Sequence, residues 1–324
     1  MRAQRNQDSR GKATRRPVRP DLRGILLEGV PAKEVRLEVN GRMTYALTAG
    51  QGPPLVMLHG GIQSGGAYWG GTISRLAGTY RILVPDIPGL GESDPLARLD
   101  ATTFADWFEE LLRLSGHERS TVLAHSLIGS MTAAFAAQRS HKLRRLVLSG
   151  APGIGRYRMP PGLLVAAIRS DLRPSHRNLE RFLPFPFLDP ERTRQRNSEW
   201  FAAFSAYMID RSQIPSVRRT MRQLIKAGTK QIPAAELRRI DVPTTLIWGR
   251  HDRMVQLQLA KSARSKFGWP LHVIEDAGHV PFLEQPDAFL EALAEATRDD
   301  RSHVTDRGTQ GRCRTAETLL EAGE

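Results

Sequence analysis

The sequence lacks several features that would place it in a specialised class. Its 324 residues include one cysteine, Cys313, so no disulfide forms within the chain, which fits a reducing compartment. No run approaches about 18 consecutive apolar residues, so no membrane span is expected. The basic N-terminal residues are not followed by an apolar stretch, so no secretory signal is expected. We therefore predict a cytoplasmic protein.

Positive charge is in excess, with a formal net charge of +13. Residues 1–24 alone hold eight Lys or Arg against two Asp. A basic surface attracts nucleic acids and anionic surfaces, but no nucleic-acid motif accompanies the charge. We expect solvated charge and no specific nucleic-acid partner, and one alternative stays open, in which the basic arm tethers the protein to nucleic acid.

The chain divides into segments of different pattern. Residues 1–27 and 299–324 are polar and aperiodic, so we expect a disordered arm and a disordered tail. Between them, short apolar runs alternate with helical patterns, and Asn40-Gly41 marks a hairpin. This alternation is typical of an α/β fold with a mostly parallel sheet covered on both faces. Residues 153–236 interrupt it with helices and prolines, which predicts a helical cap between two core parts, 28–152 and 237–298.

Ser126 follows the apolar run 120–124 and begins a helix of small residues. A sharp strand-to-helix turn of this kind is a nucleophile elbow, which exposes a serine hydroxyl above the sheet. The usual pattern has glycine two residues before and two residues after the serine. Here those positions hold Ala124 and Ile128, so we expect the helix to pack differently at Ile128.

A serine hydroxyl needs a base to take its proton, and His279 is the best candidate. It follows Gly278 in a loop after the last strand, whereas the other histidines have weaker contexts. Asp252 ends a strand in a polar loop and is suited to orient an imidazole. A turn aspartate that caps the next helix is the alternative interpretation.

The segment His59-Gly60-Gly61-Ile62 follows another strand. Its glycines let the backbone approach a substrate oxygen closely. We expect the Leu127 N–H and the N–H of Gly61 or Ile62 to form an oxyanion hole.

These motifs, with the Asp86–Ser93 loop, occur in an order that resembles the α/β-hydrolase superfamily across roughly residues 30–298. The resemblance implies an eight-stranded, mostly parallel sheet flanked by helices, with an inserted helical cap. It also implies Ser126 as nucleophile, Asp252 as acid and His279 as base, and no metal or organic cofactor. Serine at the elbow disfavours the branches of the family that use an aspartyl nucleophile.

From these residues we predict a serine hydrolase that cleaves a carboxylic ester, lactone or thioester through an acyl-enzyme. The partner is a small, apolar, ester-like molecule, and the protein is a monomer or homodimer. Two alternatives stay open: a C–C bond hydrolase of aromatic degradation and a non-catalytic ligand-binding protein. The candidate substrate-binding residues are Ile62, Leu127, Trp200, Phe201, Phe204 and Val280.

Overall fold

A computed structural model describes residues 21–62 and 64–298. Most of the predicted arm and all of the predicted tail lie outside the described residues. Within them, the chain alternates between strands and helices. The strands are β1 (Lys33–Val39), β2 (Arg42–Ala49), β3 (Pro54–Leu58), β4 (Arg81–Pro85), β5 (Ser120–His125), β6 (Leu143–Ser149), β7 (Thr244–Gly249) and β8 (Leu271–Ile274). The helices are α1 (Leu22–Leu26), α2 (Gly70–Leu76), α3 (Ala101–Leu114), α4 (Ser126–Arg139), α5 (Pro161–Leu172), α6 (His176–Phe182), α7 (Pro190–Arg196), α8 (Ser198–Ser212), α9 (Pro215–Gly228), α10 (Ala234–Leu237), α11 (Leu257–Phe267), α12 (Pro281–Glu284) and α13 (Pro286–Thr297).

The eight strands form one sheet in the order β1-β2-β4-β3-β5-β6-β7-β8. β2 is antiparallel to both β1 and β4, and the other neighbours are parallel. Asn40 and Gly41 turn the β1–β2 hairpin with φ of 51° and 72°, values that this turn requires of both residues. The eight-stranded, mostly parallel sheet that the sequence predicts is confirmed.

Alternate residues of a strand project to opposite faces of its sheet, and β3 shows how both faces are buried. Val56 and Leu58 join one apolar cluster, which also contains residues of α3, α4 and α11. Leu55 and Met57 join a second cluster, which contains residues of α1, α8 and α13. The sheet is thus covered on both faces, and the carboxyl ends of its central strands meet under the inserted helices.

The helices α5 to α10 lie between β6 and β7, where the sequence predicts the helical cap. α9 packs on α4, the helix that begins at Ser126, and α8 packs on α1. The cap is therefore in contact with the core at the elbow and at the N-terminal helix.

The predicted arm, 1–27, is wrong at its C-terminal end, because residues 22–26 form α1. Leu26 is fully buried in the core. The guanidinium of Arg23 is buried and lies 3.0 Å from the carboxylate of Asp86 and 2.5 Å from that of Glu34. These partners stand 63 and 11 residues away in the sequence, so a local reading of a polar, arginine-rich segment does not reveal them.

Candidate active site

Ser126 lies at the junction of β5 and α4 with φ of +55°. A side chain other than glycine is strained in this left-handed region, and such strain is typical of a nucleophile elbow. Ile128 is fully buried and packs in the core. The close approach of α4 to its neighbours falls on Gly129, where a Cβ would lie 3.0 Å from both the Ala124 carbonyl and the Ala151 side chain. The helix thus accommodates Ile128 by placing its glycine one residue later.

The structure brings Ser126, His279 and Asp252 together. The Nε2 of His279 lies 2.8 Å from the Ser126 hydroxyl, and its Nδ1 lies 2.7 Å from the Asp252 carboxylate. All three side chains are buried. Since a carboxylate only accepts, Nδ1 donates to Asp252 and Nε2 is left to accept from the serine hydroxyl. A serine and a base in this geometry can transfer a proton between them.

Asp252 has a second role that matches the alternative interpretation from the sequence. Its other carboxylate oxygen accepts hydrogen bonds from the backbone N–H groups of Met254 (2.8 Å) and Val255 (2.7 Å). The same side chain therefore caps the turn and contacts His279. The two backbone donors fix the carboxylate, so its free oxygen points at the imidazole.

The loop that carries His279 is bound to the cap by its backbone. The His279 N–H donates to the Pro186 carbonyl at 2.8 Å. One carboxylate oxygen of Glu284 accepts from Gly278 N–H at 2.6 Å, and the other accepts from Leu188 N–H at 2.7 Å. Burial raises the pKa of Glu284, and these backbone hydrogen bonds oppose that rise. The sequence signals gave no indication of this link.

The predicted oxyanion residues Gly61, Ile62 and Leu127 line the same cavity as Ser126. Gly61 has φ of +81°, and a Cβ there would lie 2.5 Å from the Leu224 side chain of α9. Leu127 is the second residue of α4, so its N–H has no acceptor inside the helix. Both segments therefore line the cavity beside Ser126, and the Leu127 N–H is left without an acceptor inside its helix.

His125 and Tyr68 form a buried pair beneath the site that sequence reasoning missed. The Tyr68 hydroxyl lies 3.0 Å from Gly60 N and 2.9 Å from His125 Nδ1. The Nε2 of His125 lies 2.8 Å from the backbone carbonyl of His279. Burial, and then the neighbouring His279, hold the pKa of His125 well below its usual 6.5, so this histidine is neutral. Local sequence carries no signal for this contact between three separate segments of the chain.

A cavity of about 440 Å³ opens above Ser126 and is lined mainly by apolar side chains. Four of the predicted substrate-binding residues line it: Ile62, Leu127, Phe204 and Val280.

Trp200 and Phe201 are absent from the lining, which corrects the prediction for both. Phe201 packs against Phe187 and Phe204, which do line the cavity, with ring centroids 5.9 and 6.3 Å away. Trp200 stacks on Phe204 at 5.0 Å. Helical periodicity identified the aromatic face of α8, but these two residues stand behind the lining.

Further lining residues come from the cap and from the segment before it. Tyr157 lines the cavity, and burial together with the Asp252 charge raises its pKa to about 12, so its hydroxyl stays protonated. The charged lining residues bind one another: Asp171 lies 3.4 Å from Arg218 and 2.6 Å from Arg222. In residues 21–62 and 64–298, no group of three His, Cys, Asp or Glu side chains is placed to hold a metal ion.

The chain is similar to known proteins in sequence and in fold. A model of the alpha/beta hydrolase family matches residues 55–292. A pimeloyl-[acyl-carrier protein] methyl ester esterase of Yersinia pseudotuberculosis is 26% identical over 274 residues, which is 80% of this chain and 99% of that esterase. An uncharacterised Mycobacterium tuberculosis protein is 26% identical over 304 residues, 84% of this chain and 83% of its own.

Among solved structures, the 2-hydroxy-6-oxo-6-phenylhexa-2,4-dienoate hydrolase of a Rhodococcus strain is similar, with a TM-score of 0.72 and 24% identity. The similarity covers 83% of this chain and 99% of that one. This likeness concerns the fold. Since the family model spans most of the chain, including all three residues at the centre of the site, the chain belongs to the alpha/beta hydrolase family.

Proposed function

We propose that the protein is a serine hydrolase that cleaves carboxylic esters, or the related lactones and thioesters, through an acyl-enzyme. The observation that carries the proposal is the hydrogen-bonded series Ser126–His279–Asp252, with distances of 2.8 and 2.7 Å, at the floor of an apolar cavity. The esterase named among the relatives supports the ester bond as the target.

The mechanism follows from the positions of these groups. Ser126 attacks the carbonyl carbon while His279 takes the hydroxyl proton, and Asp252 stabilises the imidazolium that forms. The oxyanion accepts hydrogen bonds from Leu127 N–H and from Gly61 or Ile62 N–H. His279 then protonates the leaving alcohol or thiol, which gives the acyl-enzyme. Water attacks the acyl-enzyme with His279 as base and restores Ser126.

The cavity favours an apolar acyl group of moderate size. Its volume lies within the usual range for small-molecule sites, about 300–1,000 Å³, and the lining near Ser126 includes Ile62, Leu127 and Val280. Because the lining charges of Asp171, Arg218 and Arg222 bind one another, an apolar chain meets no isolated charge there. We expect neutral acyl esters to be preferred over matched carboxylate-bearing ones.

The test is a panel of p-nitrophenyl esters, lactones and thioesters with the Ser126→Ala variant as control. We expect turnover by the wild type and a loss of at least about 10³-fold in the variant, because removing a triad member removes most of the acceleration. A fluorophosphonate probe should label the wild type and leave Ser126→Ala unlabelled. Turnover that persists in the variant contradicts the proposal.

The same panel separates the alternatives. The dienoate that names the Rhodococcus enzyme tests C–C cleavage, and faster turnover of it than of any ester would replace the ester assignment. A protein that binds esters but is neither labelled nor active would be a binding protein on a hydrolase fold.

A further inference from the structure

One cap helix, α5, exposes an unusual amount of apolar surface. In the part of the chain that the structure describes, five large apolar side chains are exposed, and four of them belong to α5. Their exposed fractions are 47% for Leu164, 46% for Val165, 49% for Ile168 and 65% for Leu172. The fifth is Leu114 of α3, at 40%. A single exposed leucine is ordinary, but a contiguous apolar patch marks an interaction site.

The spacing places these side chains on one outer face. Leu164, Ile168 and Leu172 are separated by four residues each, so they lie above one another on the helix, and Val165 adjoins them. The opposite face of α5 holds the helix to the protein through Leu163 and Ala166, both buried. The patch therefore lies on the side of α5 opposite its buried residues.

The same patch borders the entrance of the cavity. Leu164, Ile168 and Leu172 line the cavity while remaining about half exposed. Val165 is exposed but does not line it. An apolar molecule that leaves an apolar phase at this patch would reach the cavity that contains Ser126 without first crossing water.

Positive charge is concentrated in α5 and in the segments next to it. Six exposed arginines lie in α5, in α6, which packs on α5, and in the segments that flank α5. None of the six forms an ion pair with a described residue. The two carboxylates of this stretch, Asp171 and Glu180, bind arginines of other helices, Arg222 and Arg194. The six are Arg156, Arg158, Arg169, Arg173, Arg177 and Arg181.

We propose that the outer face of α5 docks on an anionic lipid surface. Apolar side chains with flanking arginines are what a helix lying in the plane of a membrane interface presents. α5 has 12 residues, which at 1.5 Å per residue is too short to cross the hydrocarbon core. Among residues 21–62 and 64–298, no helix reaches the length and hydropathy that a membrane span needs. Among the possible occupants, only a lipid surface also supplies apolar molecules to the adjoining cavity entrance.

The test measures binding of the full chain to sedimented vesicles of equal parts phosphatidylcholine and phosphatidylglycerol, and to vesicles of phosphatidylcholine alone. Val165→Asp and Arg169→Glu alter the patch at positions that do not line the cavity. Leu114→Asp on α3 and Lys261→Glu on α11 are the matched controls, because each makes the same kind of change elsewhere. Hydrolysis of a short, water-soluble aryl ester reports whether the variants remain folded and active.

We expect the wild type to prefer the anionic vesicles. Each interfacial arginine contributes about fivefold to partitioning, so Arg169→Glu, which reverses a charge, should weaken binding at least about tenfold. Val165→Asp should do the same, while both controls stay within about twofold of the wild type. Activity on the soluble ester should be unchanged in all four variants.

Equal binding by patch variants and controls would overturn the proposal and place the attachment elsewhere, for instance on residues 1–20. Absence of vesicle binding would also overturn it. If sedimentation equilibrium then showed a dimer that Val165→Asp dissociates, the patch would be an interface between two copies. Ser126→Ala should bind vesicles as the wild type does, so failure of the ester chemistry and failure of docking are separate results.

Discussion

The hydroxyl of Tyr68 lies 2.9 Å from the Nδ1 of His125, and this contact fixes the protonation of both side chains. The carbonyl of His279 only accepts, so His125 Nε2 carries the proton and donates to it. Nδ1 must then accept from Tyr68, whose oxygen in turn accepts from Gly60 N–H. Burial raises the pKa of Tyr68, which keeps its hydroxyl protonated. One series of hydrogen bonds thus joins the proposed oxyanion loop to the backbone of the proposed base.

Tyr68→Phe should therefore lower kcat with little change in KM. The substitution leaves the Gly60 N–H and the His125 Nδ1 buried without partners, and each such group costs about 1–3 kcal/mol. If this cost is relieved by a shift of the loop that contains Gly60, the catalytic geometry is disturbed and kcat drops about tenfold to a hundredfold. Steady-state kinetics on a p-nitrophenyl ester measures it.

Tyr80→Phe is the matched control. Tyr80 also bonds through its hydroxyl, to Thr297 at 2.9 Å, but away from the site. It should lose some stability and keep kcat. A purely structural role for Tyr68 would instead give two variants with equal losses of stability and unchanged kcat.

Phe204→Ala and Phe201→Ala should separate substrate selection from core packing. Both remove a buried aromatic ring, which costs about 3–5 kcal/mol of stability. Phe204 lines the cavity, so its removal should shift the preferred acyl chain of the ester to a longer one. Phe201 stands behind the lining, and its removal should leave the chain-length profile unchanged.

The measurement is kcat/KM across p-nitrophenyl esters of increasing chain length. If Phe204→Ala fails to fold, Phe204→Leu serves as the smaller change. Identical profiles for the two positions would show that the cavity above Ser126 does not hold the acyl chain.

The sequence predicts the sheet well, and it singles out three residues that the structure brings together, because both depend on local patterns in a fixed order. Short apolar runs identify the buried strands. A serine after one run and a histidine after another mark the carboxyl ends of two strands, which the parallel sheet brings to the same edge. Contacts between distant segments are different. The burial of Arg23 against Asp86 and the place of His125 beside His279 depend on loops that only the complete fold juxtaposes. Periodicity likewise identified the aromatic face of α8 without showing what covers Phe201.

Two buried histidines should make the protein sensitive to mild acid. Burial, and then the charge of Arg23, lower the pKa of His59 from 6.5 to about 3; its Nε2 accepts from Ile87 N–H at 2.9 Å, which requires the neutral ring. His125 is neutral for similar reasons. Since both pKa values are depressed in the folded state, the stability they contribute is present above pH 6.5 and is lost as the pH falls towards 3.

The free energy of unfolding should fall by up to about 1.4 kcal/mol per pH unit for each histidine in that range. Guanidinium unfolding between pH 6.5 and 5 measures the slope. His59→Gln keeps a side-chain oxygen for Ile87 N–H but removes one titrating group. The slope of the unfolding free energy against pH should therefore fall by the contribution of one histidine. Equal slopes in the two proteins would contradict the assignment.

Gly228 ends α9 against the elbow, and Gly228→Ala should impair catalysis more than folding. A Cβ there would lie 2.8 Å from both the Cβ and the carbonyl oxygen of Leu127. Alanine favours the helix by about 1 kcal/mol over glycine, whereas crowding of this kind costs about 1–3 kcal/mol. The net change in stability is small, but relief of the contact requires α9 or Leu127 to move, and Leu127 N–H is a proposed oxyanion donor. We expect kcat to fall about tenfold or more, by analogy with loss of an oxyanion donor.

Gly71→Ala in α2, where a Cβ would meet no atom within 4 Å, is the control and should keep kcat. Wild-type kcat in Gly228→Ala would mean that the cap helix does not position Leu127.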